Sequence, residues 1–385
     1  IREYGLWESP ISAQQLVQTS VGLTEITVCN KDLWWLERRP EEEGRSTIVG
    51  RLQNEDGVVE FELPAPWNVR SRVHEYGGAA TMITQNPVLG RIVIASQFSD
   101  GRLWCIPVPG SNLGFDEPVP LTRESQQRFS CLKLDAKRRR LIAVAEDHST
   151  SEPSNSLVSI DLTALFEKAQ PQLVSPVTLA AGWDFYAEPQ LSPDGKYLAW
   201  LTWNHPNMPW DETCLWMADL LEDGSLNNCQ IVAGSDSESI TEPRWSPSGL
   251  LSFCSDRSGW WNLYCCDPRD PLTIEAIYPM SAEFSDALWE LGMQHYVWLS
   301  KHSLACLYFQ NGRWNIGLIG QVGSTTKATF RKIPTSLTTI YQIDGDGEQL
   351  LLCGASENRF PSLIKINLLS IIRSFFFITP VFSLP

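Results

Sequence analysis

Short runs of alternating or β-branched apolar residues dominate the chain, and glycine, proline, aspartate, asparagine and serine separate them. Helical periodicity is nearly absent, and Thr163 to Lys168 is the best short helical stretch. Short strands at regular spacing, bounded by turn-forming residues, are typical of all-β proteins. The pattern therefore predicts an all-β fold with very little helix.

One apolar strand motif recurs seven times along the chain. Its copies begin at Thr47, Leu103, Leu157, Leu215, Leu263, Ile316 and Leu363. Successive copies begin 56, 54, 58, 48, 53 and 47 residues apart, a period typical of a four-stranded propeller blade. A four-stranded sheet cannot cover its own two faces, whereas a ring of seven sheets buries them against one another. The sequence predicts a seven-bladed β-propeller of four-stranded antiparallel blades.

A second motif supports the same period. Residues 188–195 read Glu-Pro-Gln-Leu-Ser-Pro-Asp-Gly, and residues 242–249, 54 positions later, read Glu-Pro-Arg-Trp-Ser-Pro-Ser-Gly. Proline fixes φ at the start of a turn and glycine accepts positive φ, so each copy predicts a strand, a tight turn and a second strand. Degenerate copies occur at residues 133–138 and 343–348.

The repeats set the expected domain bounds. Residues 1–20 form a lead-in segment, residues 21–367 the propeller, and residues 368–385 an apolar tail that departs from the pattern. The tail is long enough for a membrane anchor, but Arg373 and Pro380 disfavour one. The alternative is a non-native or truncated end that replaces lost sequence.

The net charge and the arrangement of the cysteines limit which functions and partners we expect for the chain. The chain has 385 residues, with 30 lysines and arginines against 45 aspartates and glutamates, a net charge of −15. Such a surface repels nucleic acid and anionic membranes, which leaves neutral or cationic peptides as partners. The ten cysteines include no C-x-x-C pair, and the N-terminus has no apolar signal. Free thiols in a reducing, cytoplasmic compartment are expected.

Four segments go beyond a generic propeller pattern. They are Arg-Val-His-Glu-Tyr-Gly-Gly at 72–78, Phe-Tyr-Ala-Glu-Pro at 185–189, Leu-Thr-Trp-Asn-His-Pro-Asn-Met-Pro-Trp-Asp at 201–211, and Ser-Asp-Arg-Ser-Gly-Trp-Trp-Asn-Leu-Tyr at 255–264. Together they resemble the N-terminal propeller of the prolyl oligopeptidase family, in its acylaminoacyl-peptidase and dipeptidyl-aminopeptidase-like branch. The resemblance covers roughly residues 20 to 367.

The resemblance implies a role in a serine peptidase that acts on short peptides. Family members carry a C-terminal α/β-hydrolase domain with a G-x-S-x-G nucleophile, and this sequence contains no G-x-S-x-G. We therefore expect a substrate-gating propeller that ends before the catalytic domain and is inactive alone. The alternative is a stand-alone propeller of the TolB type that serves as a protein-interaction module. A third hypothesis, an enzyme that uses channel residues, lacks a visible cluster of inward acids or histidines.

The segment before the second repeat supplies the first candidate site residues. His74 and Glu75 precede Tyr-Gly-Gly and either touch substrate or the hydrolase domain, or form a structural turn with His74 bonded to backbone. Arg70 and Arg72 either pair with a substrate carboxylate or with surface acids such as Glu75.

The long connection from Trp203 to Glu212 supplies the other candidates: His205, Trp210, Asp211 and Glu212. Prolines stiffen this loop, and loops carry function more often than strands. The resemblance implies that propeller acids bind the free amino terminus of a substrate, a role open to Asp211 and Glu212. The alternative is a solvated loop that packs its tryptophans.

No motif predicts a metal or a cofactor. The five histidines form no H-E-x-x-H, residues 344–348 lack the glycine and glutamate spacing of a calcium loop, and no phosphate-binding glycine loop is present. Expected partners are short peptides or a hydrolase domain. A propeller separated from such a domain would expose an apolar patch, which predicts self-association.

Overall fold

Twenty-eight strands form seven four-stranded antiparallel sheets in the computed structural model. The structure describes residues 3–13, 21–168, 171–234, 237–368 and 378–383. The predicted seven-bladed propeller of four-stranded antiparallel blades is confirmed. The described part of the chain has very little helix, as predicted: a short helix at Thr163–Phe166, a 3-10 turn at Pro40–Glu42, and the helical residues Ala13 and Leu368 beside the segments that are not described.

The first four blades are built from consecutive strands. Blade 1 comprises β1 (Gly22–Cys29), β2 (Asp32–Arg39), β3 (Arg45–Asn54) and β4 (Gly57–Glu62). Blade 2 comprises β5 (Thr81–Asn86), β6 (Gly90–Ser96), β7 (Leu103–Ile106) and β8 (Val119–Pro120). Blade 3 comprises β9 (Gln127–Asp135), β10 (Arg140–Asp147), β11 (Ser154–Asp161) and β12 (Val177–Ala180). Blade 4 comprises β13 (Phe185–Leu191), β14 (Tyr197–Trp203), β15 (Cys214–Leu220) and β16 (Leu226–Ala233).

The last three blades follow the same plan. Blade 5 comprises β17 (Ile240–Trp245), β18 (Leu251–Ser255), β19 (Asn262–Asp267) and β20 (Asp270–Ala276). Blade 6 comprises β21 (Tyr296–Ser300), β22 (Ser303–Gln310), β23 (Arg313–Gly320) and β24 (Thr329–Ile333). Blade 7 comprises β25 (Thr339–Gly345), β26 (Gln349–Ser356), β27 (Arg359–Asn367) and β28 (Ile378–Ser383).

The repeats found in the sequence occupy equivalent places in the blades. Each of the seven copies of the strand motif falls in the third strand of its blade. Both Ser-Pro motifs form the turn between the first and second strands, in blades 4 and 5. The period therefore reports the blade itself, because the same strand needs the same apolar faces in every sheet.

The outer strand of blade 7 differs from the expected domain bounds. Residues 378–383, which the sequence pattern places in an apolar tail outside the propeller, form β28 and pair antiparallel with β27. The register joins Ile378 to Ile366 and Ser383 to Ser362. The rest of the tail, 369–377 and 384–385, lies outside the described residues, as do residues 1–2 and 14–20 of the lead-in. No helix of the described segments is long and apolar enough to cross a bilayer.

The up-and-down order of the four strands in each blade determines which connections lie on the same face of the ring. First strands of all seven blades, or the residues just before them, line one axial chamber. Because consecutive strands are antiparallel, every first strand begins, and every fourth strand ends, on the same face, here called the front face. This face carries the connections between blades and those between second and third strands. The hairpin turns at 30–31 and 87–89 lie on the back face.

Blades 1 and 7 close the ring without exchanging a strand, since each blade uses one continuous stretch of chain. Leu23 and Trp35 of blade 1 pack with Leu351 and Leu363 of blade 7 in one buried cluster. The backbone N–H of Val28 donates to Oδ2 of Asp344 at 2.7 Å. Apolar burial and a hydrogen bond to the side chain of Asp344 therefore join the two blades at this seam.

Candidate functional site

An apolar pocket of about 150 Å³ opens on the front face. The side chains that surround it are mostly aromatic and come from three connections and from the β13–β14 end of blade 4: His74, Tyr76, Phe185, Trp203, His205, Met208, Trp210, Leu288, Trp289 and Leu291. The connections are the lead-ins to blades 2 and 6 and the loop between β14 and β15 of blade 4. Residues distant in sequence thus converge because their connections share one face.

Four rings form the first wall of the pocket. Phe185 and Trp203 are paired at the β13–β14 end and stack at 5.1 Å with 12° between their planes. The His74 ring meets both edge-on, at 5.1 and 5.3 Å. The ring of His205 contacts Phe185 at 4.9 Å. Offset and edge-to-face contacts of this kind stabilise ring clusters beyond their buried area.

Three larger rings form the second wall. Trp210 and Trp289 lie 4.3 Å apart between ring centroids, and Tyr76 contacts Trp289 at 5.8 Å. Tyr76 is 56% exposed and Trp289 is 54% exposed. This wall therefore presents apolar surface to its surroundings, whereas in the first wall Trp203 is buried, His74 and Phe185 are partly buried, and His205 is exposed.

Polar contacts hold the blade 4 loop in place. The N–H of His205 donates to Oδ2 of Asp184 at 2.9 Å, and that of Met208 donates to Oδ2 of Asp211 at 2.9 Å. Nδ2 of Asn207 donates to Oε2 of Glu212 at 2.6 Å. The carboxylates of Asp211 and Glu212 thus accept bonds within their own loop, and they are not among the groups that line the pocket.

The turn at 72–77 positions His74. Both His74 and Glu75 adopt positive φ, and the His74 N–H donates to Oε2 of Glu146 at 2.8 Å. Glu75 pairs with Arg128 at 2.6 Å. The sequence offered either a contact with substrate or the hydrolase domain, or a structural turn with His74 hydrogen-bonded to backbone; here it is the backbone N–H of His74 that bonds, and its partner is a carboxylate side chain. The imidazole itself faces the rings.

His74 is uncharged at neutral pH. Burial lowers the pKa of its imidazole to about 4, although the nearby Glu146 carboxylate opposes that shift. Nε2 of His74 is enclosed and makes no hydrogen bond within the described residues. The His74 side of the pocket therefore carries no charge at neutral pH.

Arg70 and Arg72 lie elsewhere on the front face. Both guanidinium groups stack over the ring of Phe98, at 5.2 and 5.1 Å. Neither lines the pocket, and the acid that the sequence offered as their partner, Glu75, binds Arg128 instead. The structure therefore brings His74, His205 and Trp210 together and leaves the two arginines apart.

A backbone bridge crosses the axis of the ring beside the pocket. Gly78 and Leu291 form a parallel bridge, and the Leu291 N–H donates to the Gly77 carbonyl at 2.9 Å. These residues lead into blades 2 and 6, which are separated by two blades on one side and three on the other. Their contact must therefore span the axis. We call segments 73–79 and 287–292 the strap.

The strap is tied to other blades as well. The Gly292 N–H donates to Oε1 of Glu188 in blade 4 at 2.8 Å, and the Cys131 N–H of blade 3 donates to the Ala79 carbonyl at 2.9 Å. Glu25 of blade 1 accepts the N–H of Ala80 at 2.8 Å. These bonds join the strap and the residue after it to blades 1, 3 and 4, and Ala79 and Gly292 of the strap line the axial chamber.

Sequence reasoning missed the charged residues of this chamber. Glu25, Lys133, Glu188, Arg244 and Asp344 line a cavity of about 360 Å³. The sequence shows no cluster of inward acids, because these five residues come from five different blades. The Glu-Pro pair of the first Ser-Pro motif marks one of them, Glu188.

Irregular inner strands aim these acids at neighbouring segments. Glu25 and Glu188 of the chamber have φ of 47° and 51°, and Glu242, the equivalent residue of blade 5, has a φ of 52°. Each of the three lies at a break in strand register. A bulge re-aims the side chain of the extra residue. Each acid then accepts hydrogen bonds from a segment beyond its own sheet. The charges serve first to join blades.

One of these acids predicts a pH effect on stability. Burial raises the pKa of Asp344 to about 6, above the ordinary 3.8. A raised carboxyl pKa means that stability is highest below pH 4 and falls as pH rises through 6. We expect Asp344→Asn to stabilise the protein by about 1–2 kcal/mol at pH 8, because two pKa units are worth about 2.7 kcal/mol before solvent screening.

Urea unfolding at pH 8 and pH 4 checks this expectation. The gain should vanish at pH 4, and the exposed control Asp270→Asn should show no gain at either pH. Equal stability of Asp344→Asn and the parent at pH 8 would contradict it.

A carboxylate and imidazole cluster near the strap has the composition of a metal site. Ligand atoms of Glu75, Glu146 and His148 lie within 4.8 Å of one another. However, Nη1 of Arg128 lies 2.6 Å from Glu75 and 3.3 Å from Glu146. The guanidinium already supplies the positive charge that a cation would bring, so this cluster is an ion-pair network.

Solved structures with the same fold extend over the whole chain. A puromycin hydrolase is 27% identical with a TM-score of 0.85, over 100% of this chain and 57% of that one. A puromycin-hydrolyzing peptidase of Mycobacterium tuberculosis is 30% identical with a TM-score of 0.84, over 99% of this chain and 57% of that one. No protein-family model and no curated protein matches the sequence.

A more distant structure shares the fold alone. Prolyl oligopeptidase B from Galerina marginata, bound to a 35mer hydrolysis and macrocyclization substrate, is 11% identical with a TM-score of 0.61, over 96% of this chain and 51% of that one. The chain spans little more than half the length of these enzymes. It is a seven-bladed propeller that matches, from end to end, the propeller portion of the puromycin hydrolases and other prolyl oligopeptidase family peptidases.

Proposed function

We propose that this chain is the substrate-gating propeller of a prolyl oligopeptidase-like serine peptidase that acts on short peptides, in the acylaminoacyl-peptidase and dipeptidyl-aminopeptidase-like branch. The observation that carries the proposal is the match of the whole chain to 57% of a puromycin hydrolase at a TM-score of 0.85. The catalytic serine would belong to an α/β-hydrolase domain, since this sequence has no G-x-S-x-G.

The front face is the surface that such a domain would cover. β1 begins there and β28 ends there, so the chain enters and leaves the propeller on this side. Large apolar side chains are exposed on the same face: Tyr76 at 56%, Trp289 at 54%, Trp260 at 42% and Met208 at 41%. Exposed aromatic patches commonly mark interaction surfaces.

The strap favours one access route over another. A gating propeller admits peptides either along its axis or through the gap between it and the hydrolase domain. Because the bridge between Gly78 and Leu291 crosses the axis on the front face, a peptide chain travelling along the axis would meet closed backbone. The gap between domains is therefore the route that we propose, with folded proteins excluded by size.

The adjoining coding sequence and the activity of the intact protein test the proposal. We expect a G-x-S-x-G hydrolase domain to be encoded after residue 385, in this or another reading frame. The intact protein should cleave aminoacyl chromogenic amides, a serine-directed phosphonate should stop it, and this chain alone should be inert. Absence of a hydrolase domain would favour a stand-alone interaction propeller, and turnover by this chain alone would overturn the assignment of roles.

The exposed aromatic wall also predicts how this chain behaves by itself. We expect it to self-associate through the front face, since Tyr76 and Trp289 are more than half exposed. The double change Tyr76→Ser and Trp289→Ser should shift the light-scattering mass toward the monomer at high concentration. Leu272→Ser removes a side chain that is 69% exposed on the outer strand β20, and it should leave the mass unchanged. A clean monomer for the parent chain would contradict the prediction.

A further inference from the structure

We propose that the front-face pocket binds one uncharged aromatic side chain of a peptide. The proposal rests on the proposed function for the peptide nature of the ligand, but the pocket belongs to this chain alone. Binding can therefore be measured without catalysis. The argument uses the volume of the pocket, its walls, its charges and its position.

The volume suits a single ring. The pocket holds about 150 Å³, below the roughly 300–1,000 Å³ of sites for whole small molecules. An apolar protein cavity of about 150 Å³ stays dry and binds benzene. A peptide backbone would not fit inside this pocket, whereas one aromatic side chain would.

The walls suit an aromatic ring better than an aliphatic chain. The stacked rings of Phe185 and Trp203 and the tilted rings of Trp210 and Trp289 all line the pocket. A ring inserted among them gains offset or edge-to-face contacts, which add to the effect of area burial. Two bonds within the 204–213 loop and one from the loop to Asp184 hold the Trp210 side of the pocket before any ligand arrives. Preorganisation of this kind reduces the cost of binding.

The charges around the pocket disfavour an anionic side chain. The low pKa of His74, about 4, leaves its imidazole neutral at pH 7. The carboxylates of Asp211 and Glu212 are engaged inside their loop. Glu290, an exposed acid, also lines the pocket, and the lining residues include no lysine or arginine. A carboxylate would lose hydration here without gaining an ion pair to a lysine or arginine, and it would lie near the negative charge of Glu290.

Ligand titration of the chain labelled with 5-fluorotryptophan tests the proposal. The fluorine signals of Trp203, Trp210, Trp289 and Trp260 are assigned by single Trp→Phe substitutions, and the probe is N-acetyl-phenylalanine amide. We expect saturable shifts at the three pocket tryptophans. Trp260, which lies on the same face but does not line the pocket, should not respond. N-acetyl-glutamic acid α-amide should bind at least tenfold more weakly.

A matched pair of variants adds a second readout. Trp210→Ala should weaken binding of the phenylalanine probe at least tenfold, and Trp260→Ala should leave it unchanged. Because the two probes are also compared on the parent chain, the proposal is tested even if Trp210→Ala does not fold. Equal affinity for both probes, an equal response at Trp260, or no saturable binding would overturn it. Saturable binding without a hydrolase domain in the intact protein would retain the pocket and reject only the peptidase role.

Discussion

Replacing Glu242 with glutamine is expected to lower the free energy of unfolding by about 3 kcal/mol at pH 7. The Glu242 carboxylate is 1% exposed and accepts bonds from both nitrogens that face it in His295: Nδ1–H at 2.6 Å and the backbone N–H at 2.7 Å. Nη2 of Arg244 lies 3.2 Å away. An amide would leave the buried arginine without its charged partner and would place an N–H where an acceptor is needed.

The same substitution should change the response to acid. Burial alone would raise the pKa of Glu242, but the charges and hydrogen bonds of His295 and Arg244 outweigh burial and lower it to about 2. A lowered carboxyl pKa contributes stability that is complete above about pH 4.5 and is lost as pH falls toward 2. The difference between Glu242→Gln and the parent should therefore shrink over this range.

Denaturant unfolding from pH 2 to pH 7 measures both effects. Glu222→Gln is the matched control, because Glu222 is 83% exposed and pairs with Lys137 on the surface. The free energy of unfolding of this control should match that of the parent within the error of the measurement, as exposed ion pairs contribute little. A loss below 1 kcal/mol for Glu242→Gln would show that this pair does not hold blades 5 and 6 together.

Replacing Gly78 with alanine is expected to lower the free energy of unfolding by about 3 kcal/mol or more. A Cβ at this position would overlap the backbone carbonyl of Leu291, and the residue has a φ of +91°. Backbone cannot move aside as a flexible side chain can, so the bridge across the axis would break. The front end of the axial chamber would then open.

Gly249→Ala separates backbone strain from the clash. Gly249 has a φ of +88°, and nothing lies within 4 Å of a Cβ placed there. The Gly249→Ala substitution should lower the free energy of unfolding only by the penalty for a side chain at positive φ, about 1 kcal/mol. As a second readout, Cys131, which lines the chamber, should react faster with a thiol reagent in Gly78→Ala than in Gly249→Ala. Equal stability and equal Cys131 reactivity of the two variants would contradict the claim that the strap covers the axial chamber.

The sequence predicted the blades because blades are local. Each one is a continuous stretch of about 50 residues, and the Ser-Pro turn before Gly195 or Gly249 can be recognised without knowing its neighbours. The loop with His205 and Trp210 was also predictable as a candidate, because its length and prolines mark it within the repeat.

The pocket as a whole was not predictable, because it depends on contacts between blades. Trp289 lies 79 residues after Trp210, and no motif links the two. The strap and the chamber acids are long-range features of the same kind. Glu25 reaches blade 2 only through a bulge whose position depends on the pairing of β1 with β2. For β28, three-dimensional pairing supplied an outer strand from residues that lack the repeat pattern.

The central claim is that the front face, with its aromatic pocket and strap, confronts a catalytic domain. A structure of the intact protein with a serine-directed phosphonate bound tests it most directly. The account predicts that the modified serine lies over the front face, on the side of Trp210 and Trp289. A hydrolase domain seated on the back face, against the turns at 30–31 and 87–89, would contradict it.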